Sequence, residues 1–107
     1  MSAVDYMKVI KVLSKTLKME KYDVHFPEES TNKLIVTMTG EEKEQKTFKL
    51  TVQGHAIELA FNKHYFSDRD FNRWCASFEY ELEQAFVKNI NVHVNIDVLN
   101  YTVKIMF

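Results

Sequence analysis

The residues that could carry catalysis or bind a metal are few and are spread along the chain. There are four histidines and one cysteine. The densest group is His64 with Asp68 and Asp70, but both aspartates fall in the predicted first turn of a helix. The helix dipole favours negative charge there without any metal. We therefore expect no catalytic site, no metal site and no cofactor.

Two further arrangements resemble catalytic ones but have simpler explanations. Cys75 lies on the predicted buried stripe of the second helix, whereas a nucleophilic cysteine lies exposed near a helix N-terminus or a cation. Glu79 and Glu83 share a helix face, as an acid–base pair could, but that face is predicted to be solvated. No Gly-x-Ser-x-Gly motif occurs. We predict no enzymatic activity, and the alternative is an enzyme whose site is assembled from dispersed residues.

A stripe of lysines is the first candidate for binding. Its members, which we name the lysine stripe, are Lys8, Lys11, Lys15 and Lys18. They recur at helical spacing, opposite the apolar positions of the first helix. The first 21 residues carry five lysines against two acids. Such a surface could hold a phosphate backbone or an acidic partner, and the alternative is an ordinary solvated helix face.

The outer side of the second helix is the second candidate. Tyr80 points away from the predicted buried stripe, between Glu79 and Glu83. An exposed tyrosine in a polar rim is typical of an anchor in a protein interface. The two glutamates lie towards the helix C-terminus, where the dipole disfavours them, which favours a role in binding.

The outward face of the predicted sheet is the third candidate. Its proposed binding residues are Lys49, His93, Asn95 and Lys104. Proteins that bind single-stranded nucleic acid on a sheet usually stack bases on exposed aromatic side chains. Here the strand aromatics are predicted to face inward. They are Tyr22, Phe26, Phe48, Phe61 and Tyr101. We therefore expect no binding of single strands by base stacking.

Composition limits the class of protein. A chain of 107 residues with 46% hydrophobic residues is one domain with a core of its own. Its net charge of −1 disfavours a large nucleic-acid footprint. The lone cysteine fits a reducing compartment, and the N-terminus resembles no secretion signal. No stretch is long and apolar enough to span a membrane. We expect a cytoplasmic protein.

The apolar spacing predicts an α+β fold. Residues 4–19 and 67–87 read as amphipathic helices, with Ser67 as the N-cap of the second and Phe66 and Phe71 as its hydrophobic staple. Residues 22–62 alternate as four strands, and a hairpin ends the chain. The predicted order is α-β-β-β-β-α-β-β, in which a largely antiparallel six-stranded sheet carries both helices on one face.

Two hairpins have a predicted register. A two-residue loop at Gln53-Gly54 pairs Leu50 with Ile57 and places Lys49 opposite Glu58.

The final hairpin has a loop of about four residues. It places Ile90, Val92, Val94 and Ile96 opposite Phe107, Ile105, Val103 and Tyr101, in that order. If its last strand is a sheet edge, that strand could pair two copies of the chain into a homodimer.

This layout over nearly the whole chain resembles the C-terminal double-wing domain of the MotA family of T-even phage middle-promoter activators. The shared features are the leading helix with Asp5-Tyr6-Met7-Lys8, the Gly-centred hairpin at Gln53-Gly54, and a second helix followed by a two-stranded hairpin. The resemblance implies a DNA-binding module that regulates transcription. It assigns no functional residue of this chain.

The function expected from the sequence is non-catalytic. We expect a small regulatory or inhibitory module that docks onto a macromolecular partner, with a protein as the expected partner. The absence of an active-site motif, the charge-segregated helices and Tyr80 motivate this expectation. Small, motif-free domains rich in Lys and Glu are also typical of phage proteins that redirect host machinery. The alternative is a DNA-binding regulator of double-wing type.

Overall fold

The computed structural model describes residues 3–27, 32–62, 64, 66–86 and 92–107. The two helices are α1 (Ala3–Thr16) and α2 (Asp68–Ala85). The strands are β1 (Lys21–His25), β2 (Lys33–Thr39), β3 (Gln45–Gln53), β4 (Ala56–Ala60), β5 (His93–Asp97) and β6 (Thr102–Met106). The predicted α+β class and the order α-β-β-β-β-α-β-β are confirmed.

All strand pairs in the sheet are antiparallel, in the order β1-β2-β3-β4-β6-β5. The chain leaves β4, forms α2, and returns so that β6 pairs with the free side of β4. The last strand is therefore an inner strand, and the premise of a homodimer through a C-terminal edge strand is wrong. The edges of the described sheet are β1 and β5.

The core lies between the helices and one face of the sheet. Alternate residues of the strands, such as Leu34, Val36 and Met38, are buried there, as the alternation predicts. The predicted buried stripe of the second helix is confirmed. Its members within α2 are Phe71, Trp74, Cys75, Phe78 and Leu82, and Phe86, the C-cap residue, is buried as well.

The start of α2 agrees with its sequence signals. Ser67 has extended dihedrals, and its Oγ accepts a hydrogen bond from the backbone N–H of Asp70 at 3.1 Å. This bond satisfies one of the free donors of the first turn. Phe66 contacts Phe71 with ring centroids 5.5 Å apart, which is the predicted hydrophobic staple. The first turn is thereby fixed from both sides.

The predicted first helix is too long at its C-terminal end, because α1 stops at Thr16. Lys18 takes the left-handed conformation with φ 57°, which interrupts the helix. The N–H of Met19 then bonds the carbonyl of Ser14 at 2.9 Å, and the N–H of Lys18 bonds that of Lys15 at 3.2 Å. This pattern is a Schellman motif, in which glycine is the usual left-handed residue.

The predicted register of the β3–β4 hairpin is wrong by two residues. Leu50 lies opposite Leu59, and Gln53 pairs with Ala56 around the two-residue loop Gly54-His55. Gly54 has φ 61° at the first loop position, which glycine adopts without strain.

The shift leaves the buried face unchanged because side chains alternate with period two. It also brings Phe48 next to Phe61, with ring centroids 5.3 Å apart. Lys49 lies opposite Ala60, so the predicted Lys49–Glu58 pair is wrong.

The final hairpin shows the same error. Val94 lies opposite Ile105 and Ile96 opposite Val103, two residues from the predicted register, and Ile90 lies outside the described residues. The predicted loop length of four residues is confirmed, over Val98–Tyr101. The apolar match that guided the prediction is equally good in both registers.

Asp97 builds the turn of this hairpin. Its carboxylate accepts hydrogen bonds from the backbone N–H groups of Leu99 and Asn100 at 3.1 and 3.2 Å. The side-chain amide of Asn100 donates a third at 2.8 Å. These bonds lower the pKa of Asp97, the bond from the Asn100 side chain most strongly. These bonds order the turn although it contains no glycine. Leu99 lies at the tip of the turn and is 92% exposed.

Candidate binding surfaces

The lysine stripe lies beside α2, because the two helices pack side by side. Lys15 is exposed, and its Nζ forms an ion pair with Oε2 of Glu81 at 2.8 Å. Lys8 holds its Nζ 5.2 Å from the centroid of the Phe86 ring, within the range of a cation–π contact. Two of the four cations therefore have partners within the molecule, and the carboxylate of Glu81 offsets the positive charge of Lys15.

The other two lysines differ in their setting. Lys11 is exposed and, with Lys15, borders a shallow groove of about 330 Å³ between the helices, whose opposite wall is formed by Glu81, Gln84 and Ala85. Lys18 is exposed but lies beyond the end of α1, so its predicted place on the helix is wrong. The groove pairs a basic wall with a wall containing a carboxylate, so it is not a uniformly basic surface.

The outward side of α2 carries Tyr80, as predicted. The side chain is 61% exposed, and the buried stripe occupies the opposite side of the helix. Glu83 is exposed one turn further on, whereas Glu79 is only half-exposed because it lies at the margin of the core beside Cys75. The prediction that Glu79 points freely to solvent is therefore wrong. Glu81 faces α1, where it pairs with Lys15.

The outward side of α2 also carries cations at its other end, which were not predicted from the sequence. Arg73 lies two turns before Tyr80, and Arg69 lies one turn before Arg73, and both are exposed. The seven-residue spacing of Arg73 and Tyr80 places them on one side of a helix, which was the available signal. The outward side of α2 is therefore not uniformly acidic, since Tyr80 lies between Arg73 on one side and Glu83 on the other.

The four residues predicted on the sheet face are exposed and lie in the outward register. Asn95 lies directly opposite Lys104, and His93 lies two positions before Asn95 on the same strand. Lys49 is separated from β6 by β4, which puts it about 10 Å to the side. The structure thus brings His93, Asn95 and Lys104 together and leaves Lys49 apart.

Lys49 instead borders a depression of about 490 Å³ on the same face. The register places Ile35 and Ala60 on either side of Lys49, so the depression has apolar walls. Ile35 lies on the outward side of β2 and yet is half-buried, so it contributes apolar surface to the depression. This apolar contribution was not predicted, because the residues assigned to that face from the sequence were all polar.

One aromatic residue departs from its predicted position. Phe26 follows the last residue of β1 and is 55% exposed, so its predicted inward orientation is wrong. The strand alternation does not extend to it because β1 ends at His25. Phe48, Phe61 and Tyr101 are buried as predicted.

The titratable residues singled out for chemistry are engaged in the fold. Burial raises the pKa of the Cys75 thiol to about 12, and the neighbouring charge of Glu79 adds to this effect. The hydroxyl of Tyr101 donates a hydrogen bond to the carboxylate of Asp68. Within the described residues, no three His, Cys, Asp or Glu side chains are grouped so that they could hold a metal ion.

Comparison with known proteins identifies no relative: no protein-family model, curated protein or solved structure matches the chain. The fold defines the chain as a two-layer α+β protein with an open antiparallel sheet. Neither helix in the described part of the chain is long and apolar enough to cross a membrane.

Proposed function

We propose that this protein is a non-catalytic regulatory or inhibitory module that docks onto a protein partner through the outward side of α2. The observation that carries the proposal is Tyr80, whose ring is 61% exposed on a helix with its other side in the core. Tyrosine supplies a large contact area and a hydroxyl while losing little side-chain freedom on binding. It is among the residues most enriched at the centre of protein interfaces.

The helix beneath Tyr80 supports this role because it is firmly anchored. Trp74 stacks on Phe78 with ring centroids 5.1 Å apart, and Phe71 packs on Tyr101 at 4.8 Å. Ser67 caps the first turn. A side chain held by such a scaffold loses less entropy on binding than one on a loose loop, which favours affinity.

The charges around Tyr80 indicate the chemistry of the partner. Glu83 is exposed on the C-terminal side of the ring, and Arg73 is exposed on the N-terminal side. A complementary partner offers a pocket for the ring, with a basic side chain at one end and an acidic side chain at the other. This arrangement would fix the direction in which α2 lies on the partner.

The alternative function is DNA binding by a double-wing regulator. It is supported by the order of the elements and by Lys11 and Lys18, which are exposed. The Lys15–Glu81 pair and the net charge of −1 count against it. An enzyme with a dispersed site has no supporting observation.

We place the protein in the cytosol, since its single cysteine is buried and has no disulfide partner.

Affinity capture from a lysate of the source cell, with and without nuclease, tests the proposal. We expect a protein partner that nuclease does not remove. Tyr80→Ala should weaken its binding by about ten-fold, the loss typical of an interface anchor. Leu99→Ala is the control, because Leu99 is an exposed apolar side chain on the turn between β5 and β6 and not on the outward side of α2, and it should bind normally.

The result that would favour DNA binding is a set of captured proteins that is lost when the lysate is treated with nuclease. In that case the double variant Lys11→Glu/Lys18→Glu should weaken binding and reduce its dependence on salt, since each lost phosphate contact lowers the slope by about one. These two lysines are chosen because their replacement leaves the Lys15–Glu81 and Lys8–Phe86 contacts intact. A partner that binds equally well to wild type and Tyr80→Ala would refute the assignment to α2.

A further inference from the structure

The strand β5 is an edge whose outer side has no neighbour among the described strands. Three polar residues, His93, Asn95 and Asp97, alternate on the outward side of the sheet and are exposed. Val94 and Ile96 alternate on the helix side, where Ile96 is still 36% exposed. An unpaired strand of this kind is a template for pairing with another strand. Its exposed apolar residue also leaves part of the core layer uncovered at this edge.

The order of residues along β5 is complementary to itself. When two copies run antiparallel about a two-fold axis at Asn95, each His93 lies opposite Asp97 of the second copy. On the other side of the sheet, Val94 lies opposite Ile96 of the second copy. Both kinds of pair stabilise antiparallel strands. An imidazole donates a hydrogen bond to a carboxylate in either protonation state, and more strongly when it is cationic.

We propose that a second copy of this chain pairs with β5, so that the two six-stranded sheets join into one continuous sheet around a two-fold axis. Each interface then contains two His93–Asp97 pairs and two Val94–Ile96 pairs. The contact is of the isologous kind that closes at a dimer. It removes one edge of each sheet and covers the exposed part of Ile96.

The carboxylate of Asp97 is already ordered by the turn that follows β5. The three hydrogen bonds it accepts from Leu99 and Asn100 hold it at the end of β5. A carboxylate has room for about four acceptor contacts, so one remains for an imidazole of the second copy. Little side-chain freedom is lost when that contact forms.

The other edge of the sheet is less favourable when it is paired about its own centre. In the equivalent two-fold pairing of β1, Asp23 lies opposite Asp23 of the second copy, and Lys21 lies opposite His25. Like charges directly opposite each other destabilise a strand pair. When each strand is paired about its central residue, the charge pattern therefore favours β5 over β1 for pairing of a copy with itself. Pairing of β1 with β5 of another copy would instead run head to tail and give open chains of molecules.

Sedimentation equilibrium over a wide range of concentration tests the proposal. We expect the wild type to reach twice the 12.7 kDa mass of the chain and to stop there. His93→Asp places like charges opposite each other twice and should weaken dimerisation by about ten-fold or more. Ile96→Lys places a lysine on the inner side of the edge and should have the same effect.

Two variants serve as controls. Asp23→Lys adds positive charge to the other edge, and Leu99→Lys adds it to the turn next to β5, and both should dimerise as the wild type does. His93 is exposed and lies opposite Met106, so His93→Asp keeps the fold and carries the test even if Ile96→Lys fails to fold. Far-ultraviolet circular dichroism of each variant checks this.

Three results would overturn the proposal. A wild type that stays monomeric at every concentration rules out a β5 dimer. A dimer that His93→Asp leaves intact must use another surface. Masses that keep growing with concentration indicate the head-to-tail pairing of β1 with β5. None of these results bears on Tyr80, so the docking proposal is tested separately.

Discussion

Replacement of Thr16 by Val should destabilise the protein through a contact between the two helices. Thr16 is the last residue of α1, and its Oγ1 accepts a hydrogen bond from Nε1 of Trp74 at 3.1 Å. The same hydroxyl lies 2.9 Å from the carbonyl oxygen of Val12, to which it can donate. Trp74 is only 8% exposed, so its N–H has little access to water. Valine has the shape of threonine but offers no acceptor.

The expected loss is that of one hydrogen bond with a buried donor left unsatisfied, about 1–3 kcal/mol. Little packing is lost, because the replacement is nearly isosteric. A domain of this size has a free energy of unfolding of about 5–15 kcal/mol, so the effect is a sizeable fraction of the total. Thr16→Ser keeps the hydroxyl, so its free energy of unfolding should fall by less than that of Thr16→Val.

Urea unfolding measures this difference. Trp74 is the only tryptophan, so its fluorescence reports the environment of the contact, and circular dichroism reports the helices. In a Trp74→Phe background, Thr16→Val should lower the free energy of unfolding by clearly less, because the hydrogen-bond donor is already absent. The reasoning is refuted if Thr16→Val is as stable as the wild type, or if its cost is unchanged in the Trp74→Phe background.

Three further predictions concern single residues. Lys18→Gly should raise the free energy of unfolding by about 0.5–1 kcal/mol in urea, because glycine adopts φ 57° without the strain of a side chain, whereas Lys18→Ala should give no gain. Cys75 should react with a thiol reagent at pH 8 only as fast as the protein opens, since its pKa is raised to about 12, and rapid labelling of native protein would contradict its burial. The hydrogen bond from Tyr101 to Asp68, followed by burial, raises the pKa of Tyr101. Its stabilisation is therefore complete below the ordinary tyrosine pKa of about 10 and is lost as pH rises through the raised folded value. Tyr101→Phe should flatten this alkaline decline in the urea midpoint, and an unchanged slope would contradict the assignment.

The faces of the elements could be predicted from the sequence because they depend only on periodicity. Leu34, Val36 and Met38 alternate along a strand, and the stripe of α2 follows a helical repeat, so the direction of each side chain is fixed locally. Tyr80 is exposed for the same reason. The cap at Ser67 is equally local, since donor and acceptor lie three residues apart.

The registers could not be predicted because the same alternation permits several of them. In the β3–β4 hairpin, a shift of two residues keeps Leu50 and Ile57 on the buried side. The apolar match therefore does not distinguish the predicted register from the observed one. The positive φ of Gly54 at the first loop position and the contact of Phe48 with Phe61 separate them. The left-handed Lys18 was hidden for a related reason, since no glycine marks the end of α1.

The partners of the lysine stripe depend on how two distant elements pack. Lys15 and Glu81 are 66 positions apart, and their ion pair exists only because α1 lies beside α2. Lys8 meets Phe86 through the same packing. A helical repeat identifies an exposed stripe, but it contains no information about which other helix borders it. The lysine stripe was therefore identified correctly as exposed, whereas its charge balance was not.

The position of β6 inside the sheet has a consequence for the way the chain folds. The pairs among the first four strands join sequence neighbours, so we expect them to form rapidly. The pairing of β6 with β4 closes a loop that contains the whole of α2, so we expect it to form later. Until then β4 is a temporary edge, with Ile57 and Leu59 uncovered beside it. Two chains caught at this stage can pair through β4 and aggregate. The yield of refolding should therefore fall as protein concentration rises, and it should fall further when a weakened turn at Asp97 delays the arrival of the last hairpin.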